Sequence, residues 1–391
     1  MKKIALSVLL IVLLVVAYAY GTLNARKVIS LPAAQWAGSS EAAQAWREFA
    51  ASLESAGARI YGATDDAVER TEGLQYLAQL AAASLEMKLA KGSPEQPALS
   101  DWMSDYRKFL GDSPDAIYHT AELSPAYRYE ITGNKGEAGY LGFMLYGRQL
   151  NGWNRPVANL SSEQLQFDEA GNFSIVVSRE APAAGQDWLA MEDDVHTLMV
   201  RQYYHGRAGR QEARLHIRNL DTPPVGPVDD GEVAAGLRNA TAFFNDTVDG
   251  TIALAGMLAG SPNSTEPPAS YNPDFGGVFY PTLDNEYFGG WFNLQEDEAL
   301  VIEGSVPDAP YWSVSLQNRW LQSLEGGQVA LNDRQIETDN GRYKVILAHR
   351  RPPAGNWLDT GGRREGLLAI RYQLSEDSER PSLRVVKFDQ L

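Results

Sequence analysis

The pattern of apolar and polar residues changes once along the chain, from helical spacing to strand-like alternation. From residue 36 onward, apolar side chains recur every three or four positions, which is the spacing of one helix face. Ser39 or Ser40 suits the N-cap of a first helix, and Asp65 or Asp66 suits that of a second. Residues 36–92 are therefore predicted to form a helical hairpin, whose first apolar stripe comprises Ala43, Trp46, Phe49, Ala50 and Leu53.

Beyond residue 115, short apolar runs alternate with polar residues and are separated by Gly, Asn and Pro, which is typical of β strands. A proline-rich linker over 221–230, a predicted helix over 231–258 and a loop over 259–275 interrupt this pattern. Alternation then resumes and continues to the C-terminus. The first strands predicted in this way are 127–131, 140–146, 173–177 and 198–204.

The second β region repeats the first. Residues 171–185 align with 341–355 at a constant offset of 170, with a glycine at each end and a proline between them. Trp188 aligns with Trp357 in the same order. Matches that persist through a whole strand-and-turn pattern indicate a duplicated β unit of about 75 residues, larger than the repeats of a solenoid.

The fold class predicted from these patterns is α+β and β-dominated, with two duplicated β-sandwich-like units, an N-terminal helical hairpin and a helical insertion between the units. The predicted divisions are 1–27 for a signal anchor or signal peptide, 28–110 for the helical hairpin, 111–220 for the first β unit, 221–275 for the linker, helix and loop, and 276–391 for the second β unit.

The duplication also sorts residues by role. Positions that both copies share are expected to serve the fold, and positions that differ are expected to carry function. Tyr140 and Tyr311 are thus interpreted as strand packing residues. Arg201 and Arg371, also shared, are expected on an exposed or inter-strand face.

An apolar run of 17 residues, Ile4–Tyr20, follows the basic start Met1-Lys2-Lys3. A helix of that length covers about 25 Å, the lower limit for spanning a bilayer. Ala17-Tyr18-Ala19 has the form of a signal-peptide cleavage site, whereas the length of the run and its tyrosines favour an uncleaved anchor. Both interpretations predict export to the periplasmic side of the inner membrane, either anchored there or cleaved near Ala19.

Charge and composition exclude several classes of partner and of chemical site. The 34 basic and 50 acidic residues give a net charge of −16, which repels phosphate backbones and argues against nucleic acid as a partner. The absence of cysteine excludes disulfides, thiolate metal sites and cysteine nucleophiles. No two of the five histidines have metal-ligand spacing, and neither a nucleophile elbow nor a phosphate-binding loop occurs. Neither a metal nor a cofactor is expected.

The candidate site lies in the C-terminal copy, which carries charged and aromatic residues that the first copy lacks. Cations, carboxylates and indole faces that converge at strand ends suit a polar organic ligand such as a sugar, an acid or an ester. The alternative is an ion-pair cluster that fixes a long loop to a sheet edge. The candidate ligand-binding residues are Trp312, Arg319, Trp320, Arg350, Trp357 and Arg364, and the candidate catalytic residues are His349, Asp359 and Glu365.

Three hypotheses about function follow. The first is an exported, envelope-anchored small-molecule binding or accessory protein, which requires a concavity lined by Trp312, Trp320 or Trp357. The second is a periplasmic hydrolase that uses His349 as general base with a carboxylate to orient it. The third is a purely structural envelope module.

Four segments of the second copy resemble proteins that carry the domain of unknown function numbered 1214. The similarity is specific from about residue 285 to 375 and looser upstream, where it includes the turn 111–115. The resemblance implies a β-sandwich assembly with helical additions and implies no particular activity. The segments that carry it are 297–304, 311–316, 318–324 and 356–368.

Overall fold

A computed structural model describes residues 40–90, 92–206, 209–221, 224, 226–269, 273–376 and 378–391. Its helices are α1 (Glu41–Ala63), α2 (Ala67–Leu85) and α3 (Asp230–Ala259), with a π-helical turn at Glu86–Ala90 and 3-10 turns at Pro273–Phe279 and Phe388–Gln390. The predicted segment 1–27 lies outside the described residues. Among those that are described, no helix has the length and apolar character needed to cross a bilayer.

The first β unit is a sandwich of two sheets. Its inner sheet has the strand order β1-β2-β8-β4-β5 and its outer sheet the order β7-β6-β3-β9. Apolar side chains such as Ile131, Phe143 and Val200 fill the space between the two sheets. The strands are β1 (Ser100–Met103), β2 (Ala116–Glu122), β3 (Tyr129–Asn134), β4 (Tyr140–Arg148), β5 (Asn154–Ser161), β6 (Asn172–Ser178), β7 (Asp187–Ala190), β8 (Thr197–Tyr203) and β9 (Arg214–Asn219).

The second β unit has the same design. Its inner sheet runs β10-β17-β12-β13 and its outer sheet β14-β15-β11-β18, with β16 beside β15. Ile302, Trp312 and Val345 belong to its core. The strands are β10 (Asn285–Asn293), β11 (Glu298–Ser305), β12 (Tyr311–Gln317), β13 (Ala330–Asn332), β14 (Thr338–Asp339), β15 (Arg342–Ala348), β16 (Asn356–Asp359), β17 (Glu365–Gln373) and β18 (Ser382–Lys387).

The two units correspond strand by strand, which confirms the predicted duplication and fold class. In each inner sheet the central strand, β8 or β17, lies between the first long strand, β2 or β10, and the strand that follows the first outer strand, β4 or β12. In each outer sheet a short strand pairs in parallel with its neighbour, β7 with β6 and β16 with β15. Trp188 and Trp357 donate their indole N–H groups to the carbonyls of Ser178 and Ala348, at 3.0 and 3.1 Å. The shared tryptophans thus fasten these short strands.

The caps of the first two helices are as predicted, but the buried face of α1 is not. Ser40 and Asp66 cap α1 and α2 as predicted, but Trp46 is 50% exposed and Leu53 is also exposed. Small side chains let α1 approach α3 closely, so its buried face is Ala45, Phe49, Ser52, Ala56 and Ile60.

Strand β1 lies inside the range 28–110 that was assigned to the helical hairpin, yet it pairs with β2 at the edge of the first unit. The predicted range 28–110 thus contains one strand as well as the helices. Four residues are too few to show a strand period, so the sequence pattern does not reveal β1.

The two inner sheets face one another, and equivalent residues exchange hydrogen bonds across the interface. The Tyr311 hydroxyl of the second unit donates to Asp115 of the first at 2.9 Å, and the Tyr140 hydroxyl of the first donates to Asp284 of the second. Such reciprocity is the mark of an isologous contact, normally made by two copies of a chain. The units are thus related by a pseudo-two-fold axis within one chain, and the paired tyrosines connect the units as well as packing within strands.

Tyr311→Phe should destabilise the fold by about 1–3 kcal/mol, because a carboxylate at the interface loses a hydrogen-bond donor. Tyr140→Phe should cost a similar amount, since Tyr140 makes the equivalent bond. Urea unfolding followed by fluorescence measures both changes, and Tyr106→Phe at an exposed position is the control. A cost for Tyr311→Phe no greater than that of the control would show that the exchanged bonds contribute nothing to stability.

Candidate functional site

A cavity of about 330 Å³ lies between the two β units. The inner sheets contribute two of its walls and α3 contributes a third, through Leu254 and Leu258. The cavity reaches solvent beside Tyr287, whose side chain is 48% exposed. Aromatic and aliphatic side chains form most of the lining, among them Trp102, Tyr118, Phe279, Tyr280, Leu321 and Leu367.

Arg201 and Arg371, the arginines that the two copies share, both line this cavity. Each occupies the central strand of an inner sheet and lies opposite an equivalent tyrosine, Arg201 opposite Tyr118 and Arg371 opposite Tyr287. They are only 6% and 4% exposed. The expectation of an exposed face is therefore wrong, because the other unit covers the face that carries them, whereas both arginines do bind a neighbouring strand, at Tyr146 and Ser315.

Each arginine binds the backbone of the opposite unit. Arg201 Nη2 donates to the Tyr280 carbonyl at 2.9 Å, and Arg371 Nη2 donates to the Gly111 carbonyl at 2.6 Å. Gly111 and Tyr280 each lie five residues before the first long strand of an inner sheet. Both adopt the left-handed conformation, with φ of 77° and 51°, which is uncommon for a tyrosine. The two contacts are equivalent under the pseudo-two-fold relation.

Neither guanidinium has a carboxylate partner within ion-pair distance in the described part of the chain. The nearby hydroxyls do not supply negative charge, because burial raises the pKa of Tyr118 and, against the lowering effect of Arg201, that of Tyr146 to about 12. Arg371 also binds the Asp112 carbonyl, but the Asp112 carboxylate accepts hydrogen bonds from Ser323 instead. Burial raises the pKa of the Asp112 carboxyl, and the nearby charge of Arg371 opposes this rise. The cavity thus holds two buried cations of which neither has a carboxylate at ion-pair distance among the described residues.

The three tryptophans predicted to form a ligand pocket lie in different places. Trp312 is in the core of the second sandwich, against Tyr343. Trp320 is buried against α2, where its ring stacks on Tyr76 and its N–H donates to the Glu69 carbonyl. Trp357 lies in β16. None of the three lines the cavity between the units, because each fills a packing position of its own.

The predicted charged residues are also dispersed. Arg319 pairs with Glu69 at 2.7 Å and with Glu365 at 3.1 Å, so it connects α2 to the second unit. Arg350 and Arg364 are exposed, the former over the ring of Phe388. The two ion pairs of Arg319 agree with the alternative interpretation, in which these charged residues fix the structure and bind no ligand.

His349 does not contact either candidate carboxylate. Its Nδ1 shares a hydrogen bond of 2.9 Å with the Thr360 hydroxyl. Asp359 accepts from the backbone of Gly361, and Glu365 is occupied by Arg319, Trp291 and Asn293. The arrangement required for general base catalysis is therefore not formed among these three residues. Within the described ranges, no group of three His, Asp or Glu side chains is arranged to hold a metal ion.

The signal for the cavity was present in the sequence. Both copies place an arginine in the middle of a long apolar strand, in Leu198-Met-Val-Arg201 and in Leu368-Ala-Ile-Arg371. A charged residue at a buried strand position needs a polar or charged partner. The two shared arginines therefore indicate a polar site inside the protein, in addition to their contacts within the fold.

A second, smaller cavity of about 200 Å³ lies at one end of the first unit, under α3 and the π-helical turn. His196 lines it together with the Lys88–Glu122 ion pair, Arg148 and Asp246. Burial, assisted by Arg148 and Lys88, lowers the pKa of His196 to about 3. Its Nδ1 is bonded to the Thr197 hydroxyl, and its Nε2 has no partner in the described part of the chain.

His196 should make the protein less stable in mild acid. Below about pH 6.5 the unfolded imidazole takes up a proton that the folded one refuses, so stability falls as the pH drops from 6.5 toward 3. Between pH 7 and pH 5 the loss should be about 1–2 kcal/mol, and His196→Gln should remove it in urea unfolding at both pH values. His216→Gln, at an exposed position, is the control and should lose as much stability between pH 7 and pH 5 as the wild type. If His196→Gln also loses as much as the wild type, the buried imidazole is not the cause.

The comparison with protein families agrees with the two-unit architecture. The profile of the family described as "Protein of unknown function (DUF1214)" matches residues 118–206 and 277–376, one match in each unit. The crystal structure of an uncharacterized protein from Burkholderia cenocepacia is similar with a TM-score of 0.82 at 29% sequence identity, over 92% of this chain and all of that one. The VPA0106 protein of Vibrio parahaemolyticus gives a TM-score of 0.45 at 13% identity, over 80% of this chain and 97% of that one. None of the curated proteins matches. The chain therefore carries two DUF1214 domains, one in each β unit.

Proposed function

We propose that this protein binds a small organic molecule in the cavity between its two β units, and that it does so outside the cytoplasm, held by its N-terminal apolar segment. The observation that carries the proposal is the cavity itself. Protein interiors rarely contain voids larger than a water molecule. A volume of about 330 Å³ is roughly twice that of an apolar cavity that accepts benzene, so two or three rings fit.

The lining supports a ligand with an apolar body. Trp102 and Tyr280 pack edge to face at 4.8 Å, which presents a rigid aromatic wall. Leu254 of α3 and Leu367 of β17 continue the apolar surface. Pockets of this kind, mostly apolar with a few fixed polar groups, are the usual form of small-molecule sites. The pocket expected from the sequence in the second unit is replaced in this proposal by a pocket that both units build.

N-phenyl-1-naphthylamine, a neutral probe that fluoresces in apolar surroundings, should bind with a stoichiometry of one. Gly289→Leu should abolish this binding, because Gly289 lines the cavity and an added Cβ would meet nothing closer than 4.0 Å. The larger side chain therefore fills the ligand space without disturbing the strand. Fluorescence titration measures both results.

Gly256→Leu is the matched control, since Gly256 lies exposed on α3 and a Cβ there meets nothing within 4 Å. It should bind the probe as the wild type does. Absence of saturable binding to the wild type, or equal binding to Gly289→Leu, would favour the purely structural module.

The export part of the proposal is tested separately. Alkaline phosphatase, which is active only outside the cytoplasm, should be active when fused to the C-terminus of the full chain and inactive when residues 1–27 are deleted. The intact mass of the membrane fraction then distinguishes an anchor that keeps Met1 from cleavage near Ala19. Equal enzyme activity with and without residues 1–27 would contradict export through this segment.

A further inference from the structure

We propose that the ligand is an organic anion, and that its charged group binds between Arg201 and Arg371. This inference rests on the proposed binding function and adds the chemical class of the ligand. Carboxylates, sulfonates and phosphonates attached to an apolar, ring-containing body belong to that class. The juxtaposition of two equivalent buried guanidiniums in one cavity carries the inference.

The first argument is charge. A buried cation is costly unless a negative group lies beside it, and two cations that share one cavity also repel each other. An arginine side chain remains protonated in proteins, so it cannot avoid the cost by losing its proton. No Asp or Glu is among the described residues that line this cavity, although the chain as a whole carries a net charge of −16. The missing negative charge is what an anionic ligand supplies.

The second argument is the supply of unused hydrogen-bond donors. Arg201 binds its protein partners only through Nη2, and Arg371 binds its own through Nη1 and Nη2. The Nε and Nη1 atoms of Arg201 and the Nε atom of Arg371 have no acceptor among the described residues. The N–H of Trp102, a cavity residue that is 2% exposed, also lacks an acceptor in the described part of the chain. A carboxylate or sulfonate offers several acceptor sites in one group.

A structural role alone does not account for these features. The contacts of the arginines with the Gly111 and Tyr280 carbonyls need only neutral donors, which an asparagine or a glutamine provides. Gln317 already makes such a contact, with the Asp112 carbonyl at 3.0 Å. The third cation of the lining, Arg380, is compensated by Glu266 and lies over the ring of Phe288. Arg201 and Arg371, by contrast, have no carboxylate at ion-pair distance among the described residues.

Two probes with the same skeleton test the inference. 8-Anilinonaphthalene-1-sulfonate differs from N-phenyl-1-naphthylamine by one sulfonate group. The wild-type protein should bind the sulfonate roughly tenfold or more tightly than the neutral probe, at one site, with competition between the two. Equal or weaker binding of the sulfonate would overturn the anion inference while leaving the binding function intact. Failure of both probes to bind would instead overturn the binding function.

Arg201→Met and Arg371→Met remove charge and keep most of the side-chain volume. Each variant should lose the preference for the sulfonate but bind the neutral probe as the wild type does. Binding of the neutral probe also shows that the cavity is still formed. Arg238→Met, at an exposed ion pair of α3, should keep the preference. If the methionine variants do not fold, Arg201→Lys and Arg371→Lys, which keep the charge, should retain a preference that falls by less than about tenfold. A preference that survives in folded methionine variants would contradict the inference.

Discussion

The interface between the two copies of the β unit is built around an exchange of arginine–carbonyl hydrogen bonds. Arg201 and Arg371 hold the backbone just before the first long strand of the opposite inner sheet. Because each bond crosses the interface, neither unit completes its own arginine site. The reciprocal tyrosine–aspartate bonds lie on the same interface and reinforce it. The units are therefore complementary halves of one structure, unlike domains connected only by a linker.

This constraint explains why the inner strands are buried on both faces. All seven residues of β8 are buried, as are all seven of β12, which is unusual for antiparallel sheets that have one solvated face. One face meets the outer sheet of its own unit, and the other meets the opposite unit and the helices. A single core cluster accordingly joins Phe49 of α1, Phe244 of α3 and Tyr311 of β12. The helices close the open side of the interface, and α3 forms a wall of the cavity in doing so.

The sequence predicted the architecture more successfully than the site. Helix caps at Ser40 and Asp66, strand periodicity and the constant offset between the copies are local or one-dimensional signals, and the structure bears them out. The position of Trp46 was not predictable, because which face of α1 is buried depends on α3, nearly two hundred residues away. Trp312, Trp320 and Trp357 suggested a pocket because they are aromatic and near in sequence. Their neighbours in space give each one a separate packing role.

The misassignment of Arg201 and Arg371 follows from a premise about duplication. A residue that both copies share is expected to serve the fold. This premise is sound when repeats lie side by side and each repeat contacts a different neighbour. In this chain the copies face each other about a pseudo-two-fold axis, so each contact that a residue makes across the interface is repeated by its equivalent in the other copy. Duplication then doubles whatever the face carries. An apolar residue becomes an apolar contact, whereas a buried cation becomes a pair of cations. Such a pair is repulsive without a negative group between them, and the space between these two is a cavity rather than a carboxylate. The symmetry that builds the framework therefore also builds the electrostatic feature that favours a ligand.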